Sequence, residues 1–282
     1  MTLISVGNVV ADLLLAVPAL PVPGSDVTAS SSGVSAGGAF NTLAAARRQG
    51  LAAAYGGAHG SGPFGDLVRA ALQREHIQVL QPVIDDLDTG WDVAITDDSG
   101  ERTFLTTIGA EARLDAVALE RIVVSAGDVL HVSGYSFARQ PSGDALASWV
   151  PRAAAGVIVI VDPGPLGDAI PDAVRARADW WSAARGEPAG DPARGNILRL
   201  GPEGCEIDGE RIPGFDVDAV DTNGAGDAHV GVFAASIALG HDPRTAAIRA
   251  NAAAAMAVTR RGPATAPTAE ELDAFIASHP AT

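Results

Sequence analysis

A short turn rich in small residues carries the part of this sequence best suited to chemistry. Residues 221–229 read DTNGAGDAH, and an apolar stretch of helical length follows over residues 230–239. If a helix begins in this turn, the amides of Gly224, Ala225 and Gly226 have no helical acceptor and lie at the positive end of the helix dipole. Residues this small let an anion approach the backbone. The turn therefore predicts a cradle for a phosphoryl group.

Asp227 lies in the same turn, so its carboxylate can accept a proton from a hydroxyl group directed at the bound phosphate. Phosphoryl transfer asks the protein mainly for positioning and charge stabilisation, which one carboxylate beside an amide cradle supplies. An aspartate at a helix start is also a common cap. From the residues alone, both interpretations of Asp227 stay open.

Alternating apolar and alanine-rich segments predict the elements that position this turn. An alternation of strands and helices is typical of a parallel sheet covered by helices on both faces. The length of 282 residues fits a single α/β domain. The predicted strands lie at residues 3–6, 52–55, 129–132, 157–161 and 197–200, and the predicted helices at residues 39–48, 66–75 and 114–126.

Two segments break the alternation. Residues 14–34 are rich in Pro, Gly and Ser, whereas residues 90–107 place apolar residues on both sides of a turn, Asp97-Asp98-Ser99-Gly100, which predicts a β-hairpin. We predict that segments near residues 10–35 and 90–110 form a small β-sheet that acts as a lid. The alternative is a pair of ordinary surface loops.

Composition excludes several classes of partner. The formal net charge is −15, from 19 basic and 34 acidic residues, which disfavours nucleic acid and anionic membranes. No apolar run is long enough to cross a bilayer, and no basic leader precedes the first apolar stretch. The lone Cys205 fits a reducing compartment, and the 6 histidines show no metal-ligand spacing. We therefore expect a cytoplasmic protein without a nucleic-acid or membrane partner.

The turn at residues 221–233, DTNGAGDAHVGVF, resembles the carboxy-terminal signature of the ribokinase-like (PfkB) carbohydrate kinases. The resemblance implies a ribokinase-like three-layer α/β sandwich with a mostly parallel central sheet. It also implies ATP-dependent phosphorylation of a hydroxyl group on a small sugar or sugar-like molecule, with Mg²⁺. Further segments that resemble the family occur in sequence order at residues 6–15, 21–29, 35–51, 56–66, 97–104, 161–165, 198–205 and 249–268.

The resemblance also implies roles for individual residues. It makes Asp227 the catalytic base and the amides of Gly224, Ala225, Gly226 and Asp227 the anion hole. Without it, Asp12 is an ordinary strand-end residue and Asn41 an ordinary first-turn helix residue. The implied sugar ligands are Asp12, Gly37, Gly38, Asn41 and Asp227, and the implied nucleotide-side residues are Gly201, Gly204, Thr222, Gly224, Gly226 and Asn251.

One family motif is incomplete. Family members carry an Asn-x-x-Glu motif that organises Mg²⁺ through water, whereas this chain has Ala184 in place of the asparagine and retains Glu187. Residues 188–195 are also too few for the long helix that family members place after this motif. The enzyme then works with Glu187 alone, uses another phosphoryl donor, or has lost catalysis and kept ligand binding.

Several alternatives remain at this point. The chain is a sugar kinase, a nucleoside kinase of the same fold, or a non-catalytic sugar sensor. A Rossmann-type dehydrogenase is disfavoured because no G-x-G-x-x-G follows the first strand. His59 and His229 line the substrate pocket, or His229 faces solvent. The family resemblance further implies a homodimer formed through the lid.

Overall fold

The computed structural model describes residues 1–99 and 102–279. Its strands are β1 (Thr2–Ser5), β2 (Val9–Ala16), β3 (Ser31–Gly38), β4 (Ala52–Tyr55), β5 (His59–Gly60), β6 (Gln78–Val79), β7 (Val83–Ile84), β8 (Trp91–Thr96), β9 (Arg102–Thr106), β10 (Val129–Ser133), β11 (Ile158–Asp162), β12 (Trp180–Ala184), β13 (Gly195–Arg199), β14 (Cys205–Ile207) and β15 (Glu210–Ile212). Its helices are α1 (Ala39–Arg48), α2 (Pro63–Arg74), α3 (Ala116–Leu119), α4 (Gly134–Phe137), α5 (Ser142–Trp149), α6 (Asp172–Arg177), α7 (Ala225–Ala238), α8 (Pro243–Val258) and α9 (Ala269–Ser278).

The central sheet has nine strands in the order β15-β14-β13-β12-β11-β10-β1-β4-β6. The strands from β13 to β6 pair in parallel, and β14 and β15 add an antiparallel edge. Apolar side chains pack on both faces of this sheet. Leu3 belongs to one buried cluster, with Leu72 of α2 and Phe233 of α7, whereas Ile4 belongs to another, with Leu146 of α5. Alternate residues of a strand face opposite sides, so these clusters define the three-layer α/β sandwich.

The predicted elements agree with the structure in most places. The predicted strands are confirmed with ends shifted by one or two residues, and the helix predicted at residues 39–48 is confirmed as α1. Helix α2 begins before the predicted residue 66 because Pro63 is well suited to the first helical turn. The helix predicted over residues 114–126 is wrong beyond Leu119. Residues 122–124 are all β-branched, which disfavours a helix, and Gly127 follows with a φ of 91°.

A second sheet of four strands, in the order β3-β2-β8-β9, stands beside the central one. We call it the small sheet. Its antiparallel β8–β9 pair confirms the predicted hairpin, although Gly100 of the predicted turn lies outside the described residues. Residues 17–30, which belong to the predicted lid segment, contain no strand and link β2 to β3.

Helices α1 and α7 pack closely at Gly231. A Cβ atom there would collide with the carbonyl oxygen of Thr42 and lie 2.7 Å from the Cβ of Ala45. The glycine therefore lets α7 approach α1, and the amino-terminal ends of the two helices converge. None of the helices in the described part of the chain is long and apolar enough to cross a membrane.

Replacing Gly231 with alanine tests this close packing. Alanine favours a helix more than glycine does, so Gly231→Ala would stabilise the protein if α7 did not touch α1 at this position. We expect instead a loss of about 1–3 kcal/mol from overpacking, seen by calorimetry as a Tm lower by several degrees. Gly33→Ala is the matched control, because the nearest atom to its added methyl lies 4.0 Å away. A higher Tm for Gly231→Ala would contradict the packing argument.

Candidate active site

The turn before α7 has the geometry of an anion cradle. Gly224 adopts a φ of 75°, and a Cβ there would collide with the carbonyl oxygen of Pro263, so the position requires glycine. Within residues 1–99 and 102–279, no acceptor engages the amides of Gly224, Gly226 or Asp227, and the amide of Ala225 reaches only Thr222 O at 3.4 Å. These free donors lie at the positive end of α7 and favour a bound anion.

Asp227 is held in place by the first turn of α1. The Thr42 hydroxyl donates to Asp227 Oδ1 at 3.0 Å, and the Asn41 side chain donates to Oδ2 at 3.2 Å. Burial and the neighbouring Asp162 raise the pKa of Asp227 to about 6, against the lowering effect of these two donors and of Arg199. The carboxylate is therefore ionised at neutral pH and still basic enough to take a proton.

A buried arginine lies directly below the cradle. Arg199, at the end of β13, is only 11% exposed and donates to both carboxylate oxygens of Asp162, at 3.0 and 3.3 Å. It also donates to Glu187 Oε2 and to the carbonyl oxygen of Gly226, each at 3.3 Å. The guanidinium thus connects β11 and the loop after β12 to the first turn of α7, which fixes the cradle from beneath.

The predicted sugar-side residues also meet near Asp227. Asp12 on β2 is 7% exposed, and a Cβ at Gly37 would overlap its carboxylate. Gly38 adopts a φ of 61° at the start of α1, where a Cβ would collide with a backbone carbonyl. Burial raises the pKa of Asp12 to about 8, with further contributions from Asp92 and Asp227. The structure therefore brings Asp12, Asn41 and Asp227 together at the edge of the small sheet.

The predicted nucleotide-side residues form a second group. Gly201 and Gly204 flank a short turn after β13, with φ values of 64° and 95°. The Thr222 hydroxyl accepts a hydrogen bond from Arg102 of β9, so the tip of the small sheet contacts residues 221–226, the phosphate turn. Asn251 is buried and donates to two backbone carbonyls next to β15, which makes it a support for this loop.

His59 and His229, whose surroundings the sequence left open, are both buried. His59 lies 3.1 Å from the carbonyl oxygen of Gln81, and His229 lies 3.2 Å from Asn251 Oδ1. Burial lowers the pKa of both, to about 3 for His229, so both rings are neutral. His229 therefore does not face solvent, and each ring serves the packing around the site.

Glu187 retains one free oxygen for the role in magnesium binding that the resemblance implies. Its Oε2 accepts hydrogen bonds from the Ala184 amide at 2.6 Å and from Arg199, whereas no donor from the described residues reaches Oε1. The side chain is 18% exposed. In the described part of the chain no cluster of three acidic, histidine or cysteine side chains is arranged as a metal site. The donor set thus fits a magnesium ion held mainly by another molecule, with Glu187 Oε1 bound to its water.

Sequence reasoning missed Thr42, Asp92 and Arg199. Thr42 follows Asn41 directly, and its hydroxyl in the first turn of α1 was an available signal. Arg199 is a positively charged residue between two leucines, since residues 198–201 read LRLG. It lies at the carboxyl end of its strand, where the other predicted site residues are also expected. Asp92 is an acidic residue near the start of β8, which is otherwise largely apolar. Its neighbour on β2, Asp12, is determined by strand pairing and could not be read from the local sequence.

Comparisons with known proteins agree with this arrangement. The family model described as pfkB family carbohydrate kinase matches residues 2–185 and 196–270. The gap between these ranges, residues 186–195, contains Glu187 and the short connection that follows it. An uncharacterized sugar kinase of Escherichia coli K12, YegV, is 31% identical over 306 aligned positions, which cover 95% of this chain and 91% of the relative.

Another relative and a solved structure extend the comparison. The ATP-dependent ribose-1-phosphate kinase of Halopiger xanaduensis is 30% identical and covers 97% of each chain. A putative ribokinase II from E. coli, solved in complex with ATP and Mg²⁺, shares the fold with a TM-score of 0.81, 23% identity and 99% coverage of each chain. The chain therefore belongs to the pfkB family of carbohydrate kinases.

Proposed function

We propose that the enzyme transfers the γ-phosphoryl group of ATP to a hydroxyl group of a small polyhydroxylated substrate, with Asp227 as the general base. One observation carries this proposal. Asn41 and Thr42 hold the Asp227 carboxylate beside backbone amides that have no acceptor within the described residues. A base and an anion hole thus stand side by side, which is what in-line phosphoryl transfer requires.

The chemistry follows from these two features. Asp227 takes the proton of the acceptor hydroxyl as its oxygen forms a bond to the γ-phosphorus, and the bond from that phosphorus to the bridging oxygen breaks to release ADP. The free amides of Gly226 and Asp227 stabilise the charge on the transferring group. Arg199 donates to the Gly226 carbonyl and so keeps the turn in place.

ATP and Mg²⁺ are the proposed donor and metal. The name of the Halopiger relative includes ATP dependence, and the E. coli ribokinase II was solved with both ATP and Mg²⁺ bound. In this chain the loops at Gly201, Gly204 and Thr222 would hold the nucleotide, with Asn251 behind them. When bound, Mg²⁺ neutralises phosphate charge, and Glu187 Oε1 accepts from its water.

The small sheet is the proposed lid. Arg102 at its tip lies 3.6 Å from Asp221 and donates to Thr222, so the sheet already reaches the phosphate turn. A sheet in this position would keep water, a competing nucleophile, away from the transferring group.

The face of the small sheet away from Asp12 supports the expected homodimer. Leu13 pairs with Val34 and Val93, and Val93 pairs with Leu105, so these side chains share one face. Val34 is 54% exposed and Leu105 is 61% exposed. We propose that this apolar row packs against the same row of a second copy.

Replacing Asp227 with asparagine tests the base. The amide keeps the shape of the side chain but cannot take the proton, so kcat should fall by about a thousandfold or more while substrate binding changes little. ADP release and calorimetric binding measure the two effects. Asp168→Asn, at an exposed aspartate of a surface turn, is the control for the loss of one charge. If Asp227→Asn retained turnover, the assignment of Asp227 as the general base would be wrong.

The pH profile gives an independent test. Besides a limb near pH 8 from the ionisation of Asp12, kcat/KM should rise with pH through an acidic limb centred near pH 6, the pKa of Asp227, because a base works only when it is deprotonated. Thr42→Val removes a donor that lowers this pKa, so its limb should move to higher pH. The other charged groups that act on Asp227, Asp162 and Arg199, stay unchanged. Thr2→Val, far away at the start of β1, should leave the limb in place; an unmoved limb in Thr42→Val contradicts the mechanism.

The dimer is tested by replacing Leu105 with aspartate. A charge in the apolar row would be buried without a partner, so the variant should be a monomer by light scattering under conditions where the wild type is a dimer. The control is Val123→Asp, which changes a residue that is 81% exposed and lies outside the small sheet. A monomeric wild type would contradict this proposal and leave the kinase proposal intact.

A further inference from the structure

A row of polar residues crosses the face of the small sheet that is opposite the apolar row. Ser35 pairs with Asp12, Asp12 with Asp92, and Asp92 with Thr106, across β3, β2, β8 and β9. Residues in register on neighbouring strands project from the same face. The carboxylates of Asp12 and Asp92 therefore stand next to each other, on the side where Asp12 approaches Asp227.

The polar atoms of this row lack partners. Although Asp12 is only 7% exposed, no donor from residues 1–99 or 102–279 reaches its carboxylate. Asp92 Oδ1 and Ser35 Oγ are buried and likewise have no hydrogen bond with any described residue. Buried carboxylates in proteins are normally hydrogen-bonded. A bound molecule with hydroxyl or amino donors would supply the missing partners.

Asn41 supplies an independent indication of the same ligand. It belongs to α1, is 5% exposed, and uses its amide group to donate to Asp227. Its Oδ1 atom is buried without a partner in the described structure. The unsatisfied atoms of Asn41, Asp12 and Asp92 are all acceptors, so the ligand must present hydroxyl or amino donors and must extend from Asp227 to the row.

No positive charge of the described structure compensates the carboxylate pair. All 19 basic residues of the chain are arginines, and none in the described ranges bonds to Asp12 or Asp92. Arg199 is occupied by Asp162 and Glu187, and Arg102 by Asp221 and Thr222. An anionic group placed against Asp12 and Asp92 would meet like charge, whereas Arg74 and Arg261 line the cavity at Ser35, the β3 end of the row.

We propose that Asp92, together with Asp12, determines specificity by selecting an uncharged or ammonium-bearing polyol and rejecting a substrate that carries a carboxylate or phosphate at this end of the cleft. The inference rests on the proposed kinase function and narrows its substrate class. The ribose-1-phosphate kinase among the relatives takes a phosphorylated sugar by its name, so this chain is expected to differ from it.

The electrostatics of the pair agree with this inference. Burial, then Asp92 and Asp227, raise the pKa of Asp12 to about 8, and burial raises the pKa of Asp92 to about 6. At neutral pH the site without ligand therefore holds Asp12 largely protonated, and Asp92 carries most of the negative charge of the pair. Hydroxyl or ammonium donors would stabilise both ionised carboxylates, whereas a further anion would oppose them.

The experiment compares neutral, amine-bearing and anionic probes on three proteins. The probes are D-ribose, D-fructose and D-glucosamine against D-gluconate and ribose 5-phosphate, with ADP release as the readout. For the wild type, kcat/KM of the best neutral or amine-bearing probe should exceed that of each anion at least about tenfold, roughly 1.4 kcal/mol. Asp92→Asn should reduce this ratio severalfold, because one charge is lost at constant shape. Asp98→Asn, an exposed site on the same small-sheet hairpin, should preserve the ratio.

Thermal shifts of the wild type with the same probes provide a readout that needs no turnover. Phosphorylation of an anionic probe with equal or higher kcat/KM overturns the charge selection and leaves the kinase function standing. An unchanged ratio in Asp92→Asn, or an equal change in Asp98→Asn, overturns the role of Asp92. Stabilisation by neutral or amine-bearing probes without any turnover supports the selection while removing the kinase proposal. No stabilisation and no turnover with those probes overturns the inference.

Discussion

The close approach of α1 and α7 is the constraint on which the site depends. Gly231 brings the backbone of α7 against the Thr42 carbonyl, and the same approach places the Thr42 hydroxyl and the Asn41 amide on Asp227. The carboxylate that would accept the proton is therefore fixed by helix packing, whereas the amide cradle follows from the helix terminus itself. Because both belong to one rigid pair of helices, their relative position does not depend on a flexible loop.

Charge is distributed unequally along the cleft. On the phosphate side, the free amides at the amino-terminal end of α7 supply positive potential, and Arg199 offsets part of the negative charge of Asp162 and Glu187. On the acceptor side, Asp12 and Asp92 stand without a cation among the described residues. This asymmetry suits a reaction in which a strongly anionic donor meets an acceptor that brings hydroxyl groups. A nucleotide at this site would meet local donors that outweigh the field of the chain's net charge of −15.

The sequence predicted the features that depend on local patterns. The turn at Gly224 and Asp227, helix α1 and the positions of the predicted strands along the chain follow from spacing and from helix-terminus chemistry, which act over a few residues. The neighbours of Asp92 and Arg199 depend on pairing between distant strands, β2 with β8 and β11 with β12 and β13, so no local signal specified them. The helix expected over residues 114–126 failed for a local reason, because alanine content outweighed the β-branched residues 122–124 in the prediction.

The short connection after β12 brings Glu187 into contact with Arg199. Parallel strands are normally joined by a crossover helix, yet β12 and β13 are joined by residues 185–194 without one. Trp181 anchors this connection by donating to the Pro188 carbonyl, and Arg175 packs over the same indole while donating to Ala189 O. The anchored loop directs Glu187 toward β13, where Arg199 supplies the opposite charge. Arg199 thus holds Asp162 and Glu187 together from inside the protein, next to the strand that ends at Ala184.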